Sequence, residues 1–73
     1  MITRAKMVRL SNMHGWTAKD IAEAAQIKRM RYYMWEAGKP YYHLNELELE
    51  RLSEIFQLPL AEIADETGAP IIV

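Results

Sequence analysis

The absence of cysteine most restricts the folds open to this chain. Its 73 residues contain no cysteine, so no disulfide can stabilise the fold. The two histidines, His14 and His43, lie 29 positions apart with no cysteine to assist them, which excludes a zinc finger. A single hydrophobic core must therefore hold the chain together, and a core of this size is small. We expect association with a second copy to add stability.

The composition is that of a folded domain. Hydrophobic residues make up 51% of the chain and charged residues 26%, a balance that differs from that of disordered segments. No apolar run approaches the ~20 residues that span a bilayer, and the N-terminus lacks the apolar stretch of a signal peptide. We therefore expect a soluble intracellular domain with no membrane partner.

Charge is segregated along the chain. Residues 1–43 carry eight Lys and Arg against three acids, a net charge of +5. Residues 44–73 carry one Arg against seven acids, a net charge of −6. Such a dipole favours presentation of one face to a polyanion. On charge alone, chance segregation in a small chain stays open as the alternative.

Capping residues and helix breakers predict five short helices. Two of them begin with pairs typical of a capping box, Thr17 with Asp20 and Asn45 with Glu48. The helices are predicted from about Thr3 to Met13, from Thr17, from Lys28 to Glu36 or Ala37, from Asn45, and from Pro59 towards Gly68. The sequence thus predicts an all-α, compact five-helix domain over residues 1–68.

The last five residues, 69–73, are apolar and β-branched, as in a strand. This tail is predicted either to contact a symmetry mate in a dimer or to fold back over its own core.

Apolar residues at helical spacing predict the core. They are Ile21, Ala22, Ala25, Ile27, Tyr32, Leu49, Leu52 and Phe56, with Trp16 and Trp35 as anchors.

The segment of residues 16–39 predicts a helix-turn-helix. A capped helix of about eight residues is followed by a tight connection and a second helix with a basic first turn. Helical spacing places four side chains opposite the predicted core residues of that helix, namely Arg29, Met30, Tyr33 and Met34. An arginine can bond guanine through two hydrogen bonds, and an apolar tip can contact a thymine methyl. A core position for Met30 and Met34 stays open.

The runs WTAKDIAEAAQI (residues 16–27) and YYMWEAGK (residues 32–39) resemble the Cro/XRE-type helix-turn-helix family, which includes the small phage repressors. The resemblance continues through Leu49, Leu52, residues 56–60 and Ile63, and covers roughly residues 5–66. It implies a lambda-repressor-like domain that regulates transcription by binding double-stranded DNA. It further implies a Cro-like repressor that binds a dyad-symmetric operator as a homodimer, of phage or prophage origin, in the bacterial cytoplasm or at the nucleoid.

The family's pattern assigns DNA-contacting positions in this chain. It implies base contacts from Lys28, Arg29, Met30, Tyr33 and Met34, and backbone contacts from Thr17, Ala18, Arg31 and Lys39. Arg9 joins the backbone contacts as a further cation of the basic half. Two positions depart from the pattern. Gln26 stands at the turn position usually held by glycine, and Lys28 stands where a serine-like cap is usual.

Other functions find less support in the sequence. There is no phosphate-cradling glycine loop or G-x-S-x-G motif, and Ser11 and Ser53 have no evident base partner, so catalysis is not expected. No cofactor, metal or small-molecule ligand is expected either. The alternative is a small helical protein-interaction module, antitoxin- or adaptor-like, with incidental DNA binding. For the loop of Tyr41, Tyr42 and His43, phosphate contact, packing and an interface all stay open.

Overall fold

The computed structural model describes residues 1–73 and contains five helices joined by short loops. They are α1 (Arg4–Asn12), α2 (Ala18–Ala25), α3 (Arg29–Glu36), α4 (Glu46–Phe56) and α5 (Leu60–Ile63). The predicted all-α class is confirmed. The longest helix, α4, has 11 residues, and none of the five has the length and hydropathy of a membrane span.

Side-chain caps determine where three of the helices begin. At α2 the Thr17 hydroxyl accepts a hydrogen bond from the Asp20 N–H at 3.2 Å, and the Asp20 carboxylate accepts one from the Thr17 N–H at 2.9 Å. Asn45 and Glu48 form the same reciprocal pair at the start of α4. Both predicted capping boxes are confirmed. At α1, Thr3 is the cap and accepts from the Lys6 N–H.

The turn between α2 and α3 consists of three residues, 26–28. Gln26 adopts a left-handed backbone with φ 58°, and its N–H, like that of Ile27, donates to the Ala22 carbonyl. This geometry usually favours glycine, because a Cβ in the left-handed region is strained. The chain nevertheless makes the short turn of a helix-turn-helix with glutamine at that position.

All five helices contribute to one core of fourteen buried hydrophobic residues. α2 lies at its centre, packed against both α3 and α4, while α1 and α5 pack against α4 and against each other. The predicted core residues of α2, α3 and α4 are buried. Trp35 is fully buried, and its indole N–H donates to the Gly68 carbonyl at 2.9 Å.

The prediction of Trp16 as a core anchor is wrong, because 42% of this residue is exposed. Trp16 lies in the loop between α1 and α2, directly before Thr17, the residue that caps α2. Its ring instead lines a surface groove with Met13 and Leu58.

The C-terminal tail folds back on its own chain. The Ile71 N–H donates to the Ile63 carbonyl, and the Ile71 carbonyl accepts from the Arg4 N–H at 2.8 Å. The Val73 N–H donates to the Ile2 carbonyl. These contacts form isolated bridges rather than a strand. The Ile72 and Val73 side chains stay exposed, so the tail still offers an apolar surface.

Candidate nucleic-acid interface

α3 has one buried and one exposed face. Tyr32 and Trp35 are fully buried, with ring centroids 5.8 Å apart. The other face carries most of the side chains predicted to read bases: Lys28, Arg29, Met30 and Tyr33 are exposed, and Met34 is half-buried. With 62% of its surface exposed, Met30 is not a core residue. The structure thus brings the five predicted residues together along one accessible side of the helix.

Positive charge is concentrated at the N-terminus of α3. Lys28 occupies the cap position without a side-chain hydrogen bond, and no acid lies in the first turn. Arg29 and Arg31 follow within that turn. Cations at a helix N-terminus oppose the helix dipole, and lysine cannot accept a hydrogen bond from the free N–H groups. This end is therefore poorly stabilised by itself and well suited to a polyanion.

The N-terminus of α2 offers backbone donors as well. Because they lie in the first turn, the N–H groups of Ala18 and Lys19 have no acceptor within the helix, and such groups bind phosphate readily. Lys19 is exposed, and the sequence interpretation missed it although it directly follows Ala18. Hydrogen bonds from the Thr17 N–H and then from its hydroxyl lower the pKa of Asp20 and keep that cap charged.

Arg9 takes part in an internal ion pair. Its guanidinium bonds both carboxylate oxygens of Glu36, at 2.6 and 2.9 Å, and only 13% of the Arg9 side chain is exposed. The Tyr32 hydroxyl donates to the same carboxylate at 2.7 Å, and the Thr3 hydroxyl donates to the Glu36 carbonyl. The bond to Glu36 raises the pKa of Arg9, and burial raises that of Tyr32. This cluster ties α1 to α3, and a phosphate contact by Arg9 stays a prediction.

Arg31 is also engaged within the chain, whereas Lys39 is not. The Arg31 guanidinium bonds the Glu48 carboxylate and donates to the His43 carbonyl at 2.7 Å. Its side chain is 37% exposed. The Lys39 side chain is exposed beyond the end of α3 and makes no ion pair. Of these two predicted phosphate contacts, Lys39 is the one whose charge is unengaged.

Most of the remaining free cations lie on the helix-turn-helix. Three of the nine Lys and Arg residues pair with acids, and Arg51 donates to the Ala25 carbonyl. The other five are Lys6, Lys19, Lys28, Arg29 and Lys39, and only Lys6 lies outside the segment of residues 16–39. Four of the eight Lys and Arg residues of the first 43 positions are thus free and lie within the helix-turn-helix segment.

The loop after α3 places one aromatic side chain fully in solvent. Tyr41 is 94% exposed and has a left-handed backbone with φ 70°. Tyr42 is also exposed, and the His43 ring nitrogen Nδ1 lies 3.0 Å from the Thr67 carbonyl. Of the three possibilities for this loop, packing beneath α4 does not apply to Tyr41.

Comparison with known proteins identifies the same segment. A family model described as Helix-turn-helix matches residues 6–63, which include all of the predicted contact residues and most of the core. Comparisons with curated proteins and with solved structures give no significant match.

Proposed function

Because the chain belongs to the Cro/XRE-type helix-turn-helix family of DNA-binding transcription regulators, which is not an enzyme family, we propose that it represses transcription by binding a dyad-symmetric operator as a homodimer. The observation that carries the proposal is the exposed face of α3, which is cationic at its N-terminus and apolar along its length. A phage or prophage origin and action at the bacterial nucleoid belong to the same proposal.

Base reading is assigned to α3, with Arg29 as the main reader. A helix that enters the major groove N-terminus first brings its first turn closest to the base edges. The Arg29 guanidinium is exposed there and can donate two hydrogen bonds to O6 and N7 of guanine. Met30, the next residue, and Tyr33, one turn further, offer apolar surface to thymine methyl groups. Lys28 and Met34 flank these three side chains.

Phosphate binding is assigned to the first turn of α2 and to Lys39. The first turn of α2 provides the N–H groups of Ala18 and Lys19, the Thr17 hydroxyl and the Lys19 ammonium, and Lys39 provides a cation beyond the C-terminal end of α3. Contacts to phosphate orient the domain but carry no sequence information. The guanidinium groups of Arg9 and Arg31 are engaged in ion pairs with Glu36 and Glu48, and a phosphate contact by Arg9 stays a prediction.

The geometry of a palindromic site supports the proposed dimer. Recognition helices of a dimer must reach half-sites about 34 Å apart. The domain measures 29 × 24 × 21 Å, so two copies side by side can place their α3 helices at about that spacing. Among the exposed apolar side chains, Ile72 and Val73 in the tail and Leu47 on α4 are the surfaces that we propose for the contact.

Selection of binding sites from random duplex DNA, followed by titration of the best site, tests the function. We expect a dyad-symmetric site bound at least 10³-fold more tightly than random DNA. Affinity should fall with salt, with a log–log slope of about −0.9 per neutralised phosphate. Binding no tighter than the ~10⁻⁴–10⁻⁶ M typical of non-specific complexes would favour the protein-interaction alternative instead.

Sedimentation of the variants Leu47→Glu and Val73→Glu tests the dimer and locates its interface. Both side chains are exposed, so a charge at either position leaves the monomer core intact. The variant that shifts the protein towards monomer identifies the surface in contact. A wild-type protein that stays monomeric both free and on operator DNA contradicts the dimer.

A further inference from the structure

We propose that Arg31 is a positioning residue that sets the orientation of α3 through Glu48, rather than a DNA contact. The proposal rests on the DNA-reading function proposed for α3. It begins with the way α3 is held. α3 packs principally on one helix, α2, whereas α2 also packs against α4. A helix held along one side can tilt about its neighbour unless side chains brace it elsewhere.

Two ion pairs brace α3, one towards each end. Near its C-terminus Glu36 is bonded by Arg9 of α1. Near its N-terminus Arg31 reaches Glu48 of α4. The second brace lies beside the residues proposed to read bases, since Arg29 and Met30 immediately precede Arg31. Loss of this brace would therefore displace the proposed base-reading side chains the most.

The acceptor side of this brace is itself held in place. Glu48 is buried, and its other carboxylate oxygen accepts the Asn45 N–H at 2.9 Å as part of the capping box of α4. The Asn45 side chain accepts the Glu48 N–H in return. Arg31 thus bonds a carboxylate whose position is set by the first turn of α4. A flexible surface acid would not provide such a reference point.

Arg31 also holds the loop that joins α3 to α4. Its second nitrogen donates to the His43 carbonyl at 2.7 Å, so one guanidinium connects α3, the loop and α4. The fork of arginine can satisfy two acceptors at fixed geometry, which a lysine ammonium reproduces poorly. Contact with a phosphate would compete with Glu48 for the same nitrogens.

Double-mutant analysis of operator binding tests the proposal. Arg31→Met keeps the apolar stem, and Glu48→Gln keeps an oxygen for the Asn45 N–H, since glutamine also serves in a capping box. We expect each variant to reduce the ratio of operator to random-DNA affinity about 10-fold, and the double variant to lose no more than either alone. The salt slope should equal that of the wild type, because no phosphate contact is removed.

Matched variants control for charge and for folding. Lys6→Met removes an exposed cation outside the helix-turn-helix, and Glu54→Gln removes an exposed acid from α4. Neither residue forms an ion pair. Both should keep the wild-type affinity ratio. Circular dichroism confirms helicity. If Arg31→Met does not fold, Arg31→Lys and Glu48→Gln serve in its place, with a smaller loss expected for the lysine variant.

Different failures have different signatures. A salt slope reduced by about 0.9 per subunit in Arg31→Met, with unchanged or tighter binding in Glu48→Gln, would make Arg31 a phosphate contact and overturn the proposal. Additive losses, or an affinity ratio that no variant changes, would also overturn it. A wild-type protein that shows no operator preference would instead refute the proposed function. The positioning role of Arg31, which depends on that function, would then be refuted with it.

Discussion

The two helices of the helix-turn-helix are stabilised in different ways. α2 begins with a complete capping box and buries Ile21, Ala22 and Ala25 between its neighbours. α3 has the same length of eight residues but begins at Lys28 with no cap and with cations in its first turn. Local interactions thus support α2, while those at the start of α3 oppose helix formation.

The first turn of α3 is suited to DNA binding at the expense of helix stability. An acid at the start of α3 would stabilise the helix and repel DNA, whereas the cations present do the reverse. α3 is instead held by tertiary contacts: the buried rings of Tyr32 and Trp35, and the ion pairs of Glu36 and Arg31. Local rules are most often broken at functional sites, and the helix proposed to read DNA breaks them.

Removal of the packing that holds α3 should have the largest effect. Trp35→Ala deletes a fully buried ring and leaves the Gly68 carbonyl without its indole donor, which should cost about 3–5 kcal/mol of unfolding free energy. A domain of this length has only about 4–11 kcal/mol in total. Urea denaturation followed by circular dichroism measures the loss. Trp16→Ala is the matched control and should cost far less, and equal losses would contradict the different burial of the two rings.

Removal of the proposed base reader should weaken binding without weakening the fold. Arg29→Ala should cost about 1–3 kcal/mol of operator affinity and relax the preference at one position of each half-site. Lys39→Ala should weaken all sequences about equally, because phosphates carry no sequence information. Titration of the selected site and its single-base variants distinguishes the two. An Arg29 variant with the wild-type preference would show that α3 enters the groove in a different orientation.

Removal of the α2 cap should lower the unfolding free energy, whereas addition of a cap to α3 should raise it and weaken DNA binding. Thr17→Ala removes the hydroxyl cap of α2 and should lower the unfolding free energy by about 1 kcal/mol. Lys28→Asn gives α3 an acceptor and should raise the unfolding free energy by a few tenths to about 1 kcal/mol. The same change removes a cation, so operator affinity should fall and the salt slope should become shallower. A stabilised Lys28 variant with undiminished affinity would show that this lysine contacts no DNA.

The charge of the α2 cap should make a small, pH-dependent contribution to stability. The pKa of Asp20 is lowered by its bonds from Thr17, so this contribution is complete above the ordinary pKa of 3.8 and is lost as the pH falls below it. Asp20→Asn should therefore destabilise the domain at neutral pH, with the difference from wild type shrinking in acid. Glu23→Gln removes an exposed acid of α2 whose side chain makes no hydrogen bond, so its difference in unfolding free energy from wild type should not change with pH. Parallel curves for Asp20→Asn and Glu23→Gln would contradict the cap assignment.

Features that depend on neighbours in the sequence could be predicted from the sequence. The starts of α2 and α4 follow from capping pairs three residues apart, and the two faces of α3 follow from helical periodicity. The resemblance to the helix-turn-helix family also implies that Gln26 stands in the turn and that Lys28 stands at the cap position of α3. The prediction of one exposed face on α3 rests on spacing of at most six residues, which the helix itself enforces; its members are Lys28, Arg29, Met30, Tyr33 and Met34.

Only the tertiary structure decided which side chains remain free. The sequence alone does not distinguish Arg9 and Arg31, which are paired, from Lys39, which is not. The acceptors of the two arginines lie 27 and 17 positions away and become neighbours only once the helices pack. The exposure of Trp16 and the folding of the tail onto Ile2 and Ile63 likewise depend on which elements lie nearby. The sequence determined the helices and the face that α3 presents, because those interactions act within one or two turns. The engagement of each charge required the assembled core, because contacts between distant segments have no local signature.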